Sequence, residues 1–224
     1  MGRPPEAPPP EPSKRYTRAG TQKLIAGDAA IAAREAANSL RQFDAVRAEI
    51  DTALERIADG GRYRLRPSLI LALHRLAVEG IESSAGQWRN VPVDIAGSRH
   101  QPPHESRVPE LMEELCDHVN DHLATAPPVE LAAWTLWRIC WIHPFADGNG
   151  RTARAVAYLV LCVAHGAHLP GRETIPALIV ENKAPYYDAL EAVDVTLDDG
   201  GEADISAMAD YMEALLVRQL TPGS

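Results

Sequence analysis

The run HPFADGNGRTAR, residues 143–154, gathers an imidazole (His143), a carboxylate (Asp147) and two guanidinium groups (Arg151, Arg154) around Gly148, Asn149 and Gly150. An apolar stretch precedes it and another follows, so a helix should end before His143 and a new one begin near residue 150. A helix N-terminus leaves backbone N–H groups unpaired and carries partial positive charge. Glycines let a ligand approach that backbone closely. The pair suits phosphate. Arg151 and Arg154 share a face of the first turn, and guanidinium forks match phosphate oxygens in a bidentate way. Asp147 would be repelled by phosphates unless Mg²⁺ lay between them, an ion that takes one or two carboxylates plus phosphate oxygens. A neutral His143 could accept a proton from an incoming hydroxyl. Phe145 reads as an apolar anchor under the loop. Taken singly, a His before Pro is ordinarily a loop residue, Gly-Asn-Gly a turn, and two arginines at a helix start a solvated pair. Taken together they fit one chemistry, transfer of a phosphate-linked group.

The elements that must position this loop read as mostly helical. Residues 22–58 are Ala-rich and end on Gly60 and Gly61, which predicts one or two helices. Pro67 opens the next helix, with Leu69, Leu73 and Leu76 on one face. Residues 83–104 hold three prolines, two glycines and the alternation Val91, Val93, Ile95, which predicts a short hairpin or extended loop. Helices are expected over 105–123, 129–141, 151–164, 174–182, 184–194 and 204–220. The expected fold class is all-α with one small β-hairpin.

Composition narrows the function classes. The chain has 224 residues, 46% hydrophobic and 24% charged, enough for a domain with a real core. A net charge of −9 disfavours nucleic acid as a partner. No apolar run is long enough to span a membrane, and the N-terminus lacks the apolar stretch of a secretion signal. Cys116, Cys140 and Cys162 are odd in number and widely spaced, which reads as core thiols in a reducing compartment. The expected location is the cytoplasm. Six prolines fall within the first twelve residues, so residues 1–18 read as a disordered tail.

The run from His143 to Arg154 resembles the signature of the Fic family, H-P-F-x-D/E-G-N-G-R-x-x-R, and matches every fixed position. The likeness extends from about residue 67 to 194. It divides the chain into a tail (1–18), an N-terminal helical extension (19–66) and a Fic domain with C-terminal helices (67–224). The resemblance implies a protein adenylyltransferase, moving AMP from ATP to a Ser, Thr or Tyr hydroxyl and releasing pyrophosphate. His143 would activate that hydroxyl, and Asp147 would hold Mg²⁺. Gly148, Asn149, Gly150 and Arg151 would cradle the phosphates, with Arg154 at the far end of the triphosphate. Tyr187 would line the adenine. Asp194 stands where relatives often carry Asn. Residues 87–97 would form a flap that pins a target protein by strand addition. Self-modification is a further expectation. Members that phosphorylate replace the second glycine of the motif by lysine, and this chain keeps Gly150. UMP or phosphocholine transfer, removal of AMP, and a non-catalytic interaction module are the alternatives.

Many relatives carry an inhibitory helix with S/T-x-x-x-E-G/N, whose glutamate pairs with the second motif arginine. Two stretches have its outline. One runs from Asn38 to Phe43, with Gln42 at the glutamate position, and the other from Ser206 to Tyr211, with Asp210 there. Neither matches. The expectation is a bacterial toxin or stress effector, either unrestrained or restrained by a separate antitoxin chain. His118 and His122 are four apart on a helix but lack a third metal ligand. His100 and His104 read as loop residues, and His165 and His168 suit a helix C-terminus.

Overall fold

A helix that is apolar on every face needs neighbours on every side. The Asn149–His165 helix is of that kind: residues 155–163 are all buried. The computed structural model describes residues 16–18, 23–198 and 202–221. In chain order these form β1 (Tyr16–Arg18), α1 (Asp28–Ala58), α2 (Pro67–Val78), β2 (Asp94–Ala96), α3 (Val108–His122), α4 (Pro128–Ile142), α5 (Asn149–His165), α6 (Ile175–Glu181), α7 (Ala184–Asp198) and α8 (Ser206–Leu220). Helix α5 packs against α1, α2, α4 and α6. The loop 143–148 between α4 and α5 therefore rests on the centre of the core.

The mostly helical expectation holds, and each expected helix is present within a few residues. The stretch 22–58 becomes one helix of 31 residues. Its buried positions, Asn38, Gln42, Val46, Ile50 and Ala53, form a single stripe. Two of them are polar because they bind the end of α2. Asn38 donates to the carbonyls of Ala77 (3.3 Å) and Glu79 (2.9 Å), and Gln42 donates to that of Leu73 (3.0 Å). The first turns of α1 bury little and overhang the loop.

The hairpin does not form within 83–104. Pro92, Pro102 and Pro103 lack the N–H a ladder needs. The buried Arg89 also turns the carbonyls of Val91 and Pro103 toward its guanidinium, away from any partner strand. What forms instead is a two-stranded antiparallel sheet between distant segments. Tyr16 faces Ala96, Thr17 faces Ile95 and Arg18 faces Asp94. Residues 16–18 thus leave the tail to which the sequence assigns them. Residues 1–15 lie outside the described residues. Among the described residues no helix is long and apolar enough to cross a membrane.

Candidate active site

His143 closes α4 in the left-handed conformation (φ 51°), the sole non-glycine residue at positive φ among those described. A side chain other than glycine costs energy there, and such strain concentrates at functional sites. Arg89 holds the loop in place. Its Nε donates to the His143 carbonyl at 2.8 Å, and its backbone N–H donates to that of Pro144 at 2.9 Å. Glu105 lies 3.9 Å from the guanidinium and offsets part of its burial. The sequence reading passed over Arg89, because an arginine inside a polar loop carries no periodic signal.

The His143 ring has a defined proton. Nδ1 lies 3.2 Å from the Cys140 carbonyl, which can only accept, so Nδ1 carries the hydrogen. Nε2 is then a lone-pair acceptor, and it receives a hydrogen bond from the Thr17 hydroxyl at 2.8 Å. Burial pushes the imidazole pKa down to about 4, with the neighbouring Arg89 and His100 adding to the shift. The neutral base form is the resting state.

Beneath the loop, Phe145 is fully buried and stacks on His74, ring centroids 3.6 Å apart and 9° from parallel. His74 Nδ1 accepts from Gly86 N–H at 3.0 Å, so its Nε2 donates to the Asp147 carbonyl, also at 3.0 Å. Burial lowers its pKa to about 4 as well. Two buried neutral histidines make folding sensitive to acid. Their folded pKa values lie below the ordinary 6.5, so the unfolded chain binds protons first. Their contribution is complete above pH 6.5 and drains away as the pH falls toward 4, by up to about 3 kcal/mol for each. Urea titrations across that window should show the midpoint falling steadily, and a flat profile would contradict the burial of neutral rings.

Asn149 lines the cavity, and its side chain also locks the loop. Its side chain is buried, with Oδ1 accepting from Phe145 N–H (2.9 Å) and Nδ2 donating to the Phe145 carbonyl (2.7 Å). The amide clips the loop shut. Asn149→Ala should therefore cost roughly 2 kcal/mol in chemical denaturation, because two buried backbone groups lose their partners. Gly148 sits at φ 80°, and an added Cβ would lie 2.6 Å from a Val78 methyl. Only glycine lets the loop lie this close to α2.

Above the clip, the backbone N–H groups of Asn149, Gly150 and Arg151 open α5 with no acceptor inside the helix. They face a cavity of about 680 Å³, also lined by His143, Asp147, Arg151, Arg154 and Tyr187. That size suits a nucleotide. Arg151 donates to the Asp147 carboxylate at 3.3 Å. Arg154 sits beside Tyr186, and burial lowers its pKa. Among the described residues no carboxylate lies within ion-pair distance of Arg154. A half-buried cation with no carboxylate beside it is suited to a bound anion. Tyr187 is half-buried on the cavity wall, whereas Tyr186 is core, with its hydroxyl 3.0 Å from Cys140 Sγ. Asp194 accepts from the Trp137 indole at 2.8 Å, so it also braces α7 against α4.

A residue the sequence reading did not single out also enters the cavity. Glu35, on the overhanging turns of α1, accepts from Arg151 at 2.7 Å. At the glutamate position of the two stretches with an inhibitory outline, neither residue lines the cavity: Gln42 is bonded to α2, and Asp210 is exposed on α8. Glu35 has Ile31 before it and Ala36 after it, which conceals it from the family's sequence pattern. At the cavity edge, His100 Nε2 donates to the Trp141 carbonyl at 2.7 Å. His118 stacks on His122 and on Trp134, away from the cavity. No cluster of metal-ligating side chains is present among the described residues.

Comparison with known proteins agrees with this geometry. The sequence model described as Fic/DOC family matches residues 64–161. A protein adenylyltransferase, fic-1 of Caenorhabditis elegans, is 32% identical over 130 residues, covering 56% of this chain and 23% of the relative. The protein adenylyltransferase Fic of Nematostella vectensis is 31% identical over 129 residues, covering 54% and 27%. The chain therefore spans about a quarter of the length of these curated relatives. Among solved structures, a Fic-domain-containing signaling protein from Bacteroides thetaiotaomicron superposes with a TM-score of 0.70 at 25% identity, covering 88% of this chain and 73% of that one. A Caenorhabditis elegans Fic-1 fragment superposes at 0.62, also at 25% identity, covering 88% and 53%. Residues 64–161, which contain the complete loop from His143 to Arg154, match the Fic/DOC family.

Proposed function

We propose that the protein is an adenylyltransferase, which moves AMP from ATP to a hydroxyl of a protein and releases pyrophosphate. The observation that carries this reading is a neutral, buried His143 with its Nε2 lone pair on a hydroxyl, at the rim of a phosphate-sized cradle. Relatives bearing the name adenylyltransferase point the same way.

The residues divide the work. The α5 N-terminus and Arg151 take the phosphates, and the half-buried cation of Arg154 takes the distal one. Tyr187 faces the base. Asp147 suits Mg²⁺, because its carboxylate is part-exposed on the cavity and one carboxylate with phosphate oxygens is a common Mg²⁺ environment. When bound, the ion would neutralise charge on the phosphates. His143 removes the hydroxyl proton as the oxygen attacks the α-phosphorus. A target would dock along β2 within residues 87–97 by adding a strand, in the place β1 holds. Three free thiols, two of them buried, suit a cytoplasmic setting.

Glu35 supplies restraint from within the chain. Its ion pair occupies the arginine that the phosphates need, which removes the call for a separate antitoxin. Donor identity is tested with a Glu35→Ala chain, Mg²⁺ and cell lysate, offered each of the four ribonucleoside triphosphates labelled on the α-phosphate. Label from ATP well above the other three is expected. Equal or greater label from UTP would replace AMP by UMP as the transferred group.

A further inference from the structure

The sheet that pairs β1 with β2 places the chain's own N-terminal segment on the edge where a target would dock. Thr17 is the central residue of β1, opposite Ile95, and its hydroxyl is the group that donates to His143 Nε2 at 2.8 Å. Thr17 is half-buried and lines the same cavity as the α5 N-terminus, Arg151 and Arg154. The segment is tied down again further along. Lys23 forms an isolated antiparallel backbone bridge with Glu82, and Leu24 N–H donates to the Ile81 carbonyl at 2.8 Å before α1 begins. A hydroxyl is thus held by strand pairing on one side and by this second anchor on the other, within reach of the base.

We propose that Thr17 is an acceptor site of this enzyme, adenylylated within the same molecule. The inference rests on the adenylyltransferase reading above. Thr17 Oγ forms a bond to the α-phosphorus of ATP as the bond from that phosphorus to the pyrophosphate oxygen breaks. Pyrophosphate leaves with the electron pair, and the hydroxyl proton passes to His143 Nε2 and then to solvent. The product is a phosphodiester joining Thr17 to AMP, one per chain. Because donor and acceptor sites share one chain, the reaction is first order in enzyme.

A threonine serving only to hold the strand would show none of this. The test uses the full chain with ATP labelled on the α-phosphate and Mg²⁺, followed by intact mass and peptide mapping, with labelling of lysate proteins measured in parallel. Wild type, Glu35→Ala, Thr17→Val, Thr17→Ser and His143→Ala are compared. The expected result is one adenylyl group on the peptide containing Thr17, faster in Glu35→Ala and at a rate per molecule unchanged by dilution. It should persist in Thr17→Ser and vanish in Thr17→Val and His143→Ala, while Thr17→Val still labels lysate proteins. Lysate proteins labelled with Thr17 bare, or the chain labelled only at another residue, would overturn the proposal and leave the adenylyltransferase reading standing. A rate per molecule rising with enzyme concentration would overturn transfer within one molecule. No α-label on any protein, even with Glu35→Ala, would sink the functional reading and this proposal together.

Discussion

His143→Ala is expected to lower adenylyl transfer by roughly 10²- to 10⁴-fold, the range for loss of a positioned general base. Nucleotide affinity should change little, because the α5 N-terminus, Arg151 and Arg154 are untouched. The fold should survive as well. His143 sits in the left-handed region, where alanine and histidine carry similar strain, and Arg89 holds the backbone through the residue-143 carbonyl, which alanine keeps. Isothermal titration of ATP beside a rate measurement separates the two effects. A fall in affinity as large as the fall in rate would mean that the imidazole binds nucleotide and does not act as a base. The pH profile offers a second handle. With its pKa near 4, the base remains competent through neutral pH, and the acid limb of the rate should lie well below the usual histidine range.

The second large effect is activation. Glu35→Ala should raise the affinity for ATP and the transfer rate by roughly 10-fold or more, within the range of site-to-site couplings of about 1–3 kcal/mol. The pair is charge-assisted and short, at 2.7 Å, and Arg151 is mostly shielded. Glu35 itself is 42% exposed, which screens the interaction and argues against a larger figure. Glu35→Gln separates charge from shape: it keeps the helix and the contact but gives up the ionic bond, and should recover a large part of the activation. Alanine also favours the helix, so α1 should remain folded in either variant. Unchanged affinity in both variants would mean that Glu35 and triphosphate occupy Arg151 independently.

What was legible in the sequence was local. The loop 143–154 announced itself because its residues are contiguous and each has a distinct chemistry. The helices announced themselves by periodicity and by their proline and glycine boundaries. The contributions that escaped depend on contacts between distant segments. Glu35 looks like any glutamate on an Ala-rich helix, and only the packing of Asn38 and Gln42 against the end of α2 aims it at Arg151. Arg89 gains its meaning from four carbonyls drawn from separate stretches. The alternation Val91, Val93, Ile95 did signal a strand, yet its partner lies some eighty residues upstream rather than in the adjoining loop. Asn149 gains a second part in the same way: its place in the motif suggests a ligand contact, and burial with two backbone bonds adds that its side chain clips the loop.

The measurement that tests the central claim most directly follows label from ATP carried on the α-phosphate and, separately, on the γ-phosphate. Glu35→Ala protein, Mg²⁺ and a lysate are used, with the double variant Glu35→Ala, His143→Ala alongside. Protein label from the α-position alone, lost in the double variant, is the predicted result. Protein label from the γ-position would mean phosphoryl transfer with the nucleotide reversed in the cavity, and it would contradict the account.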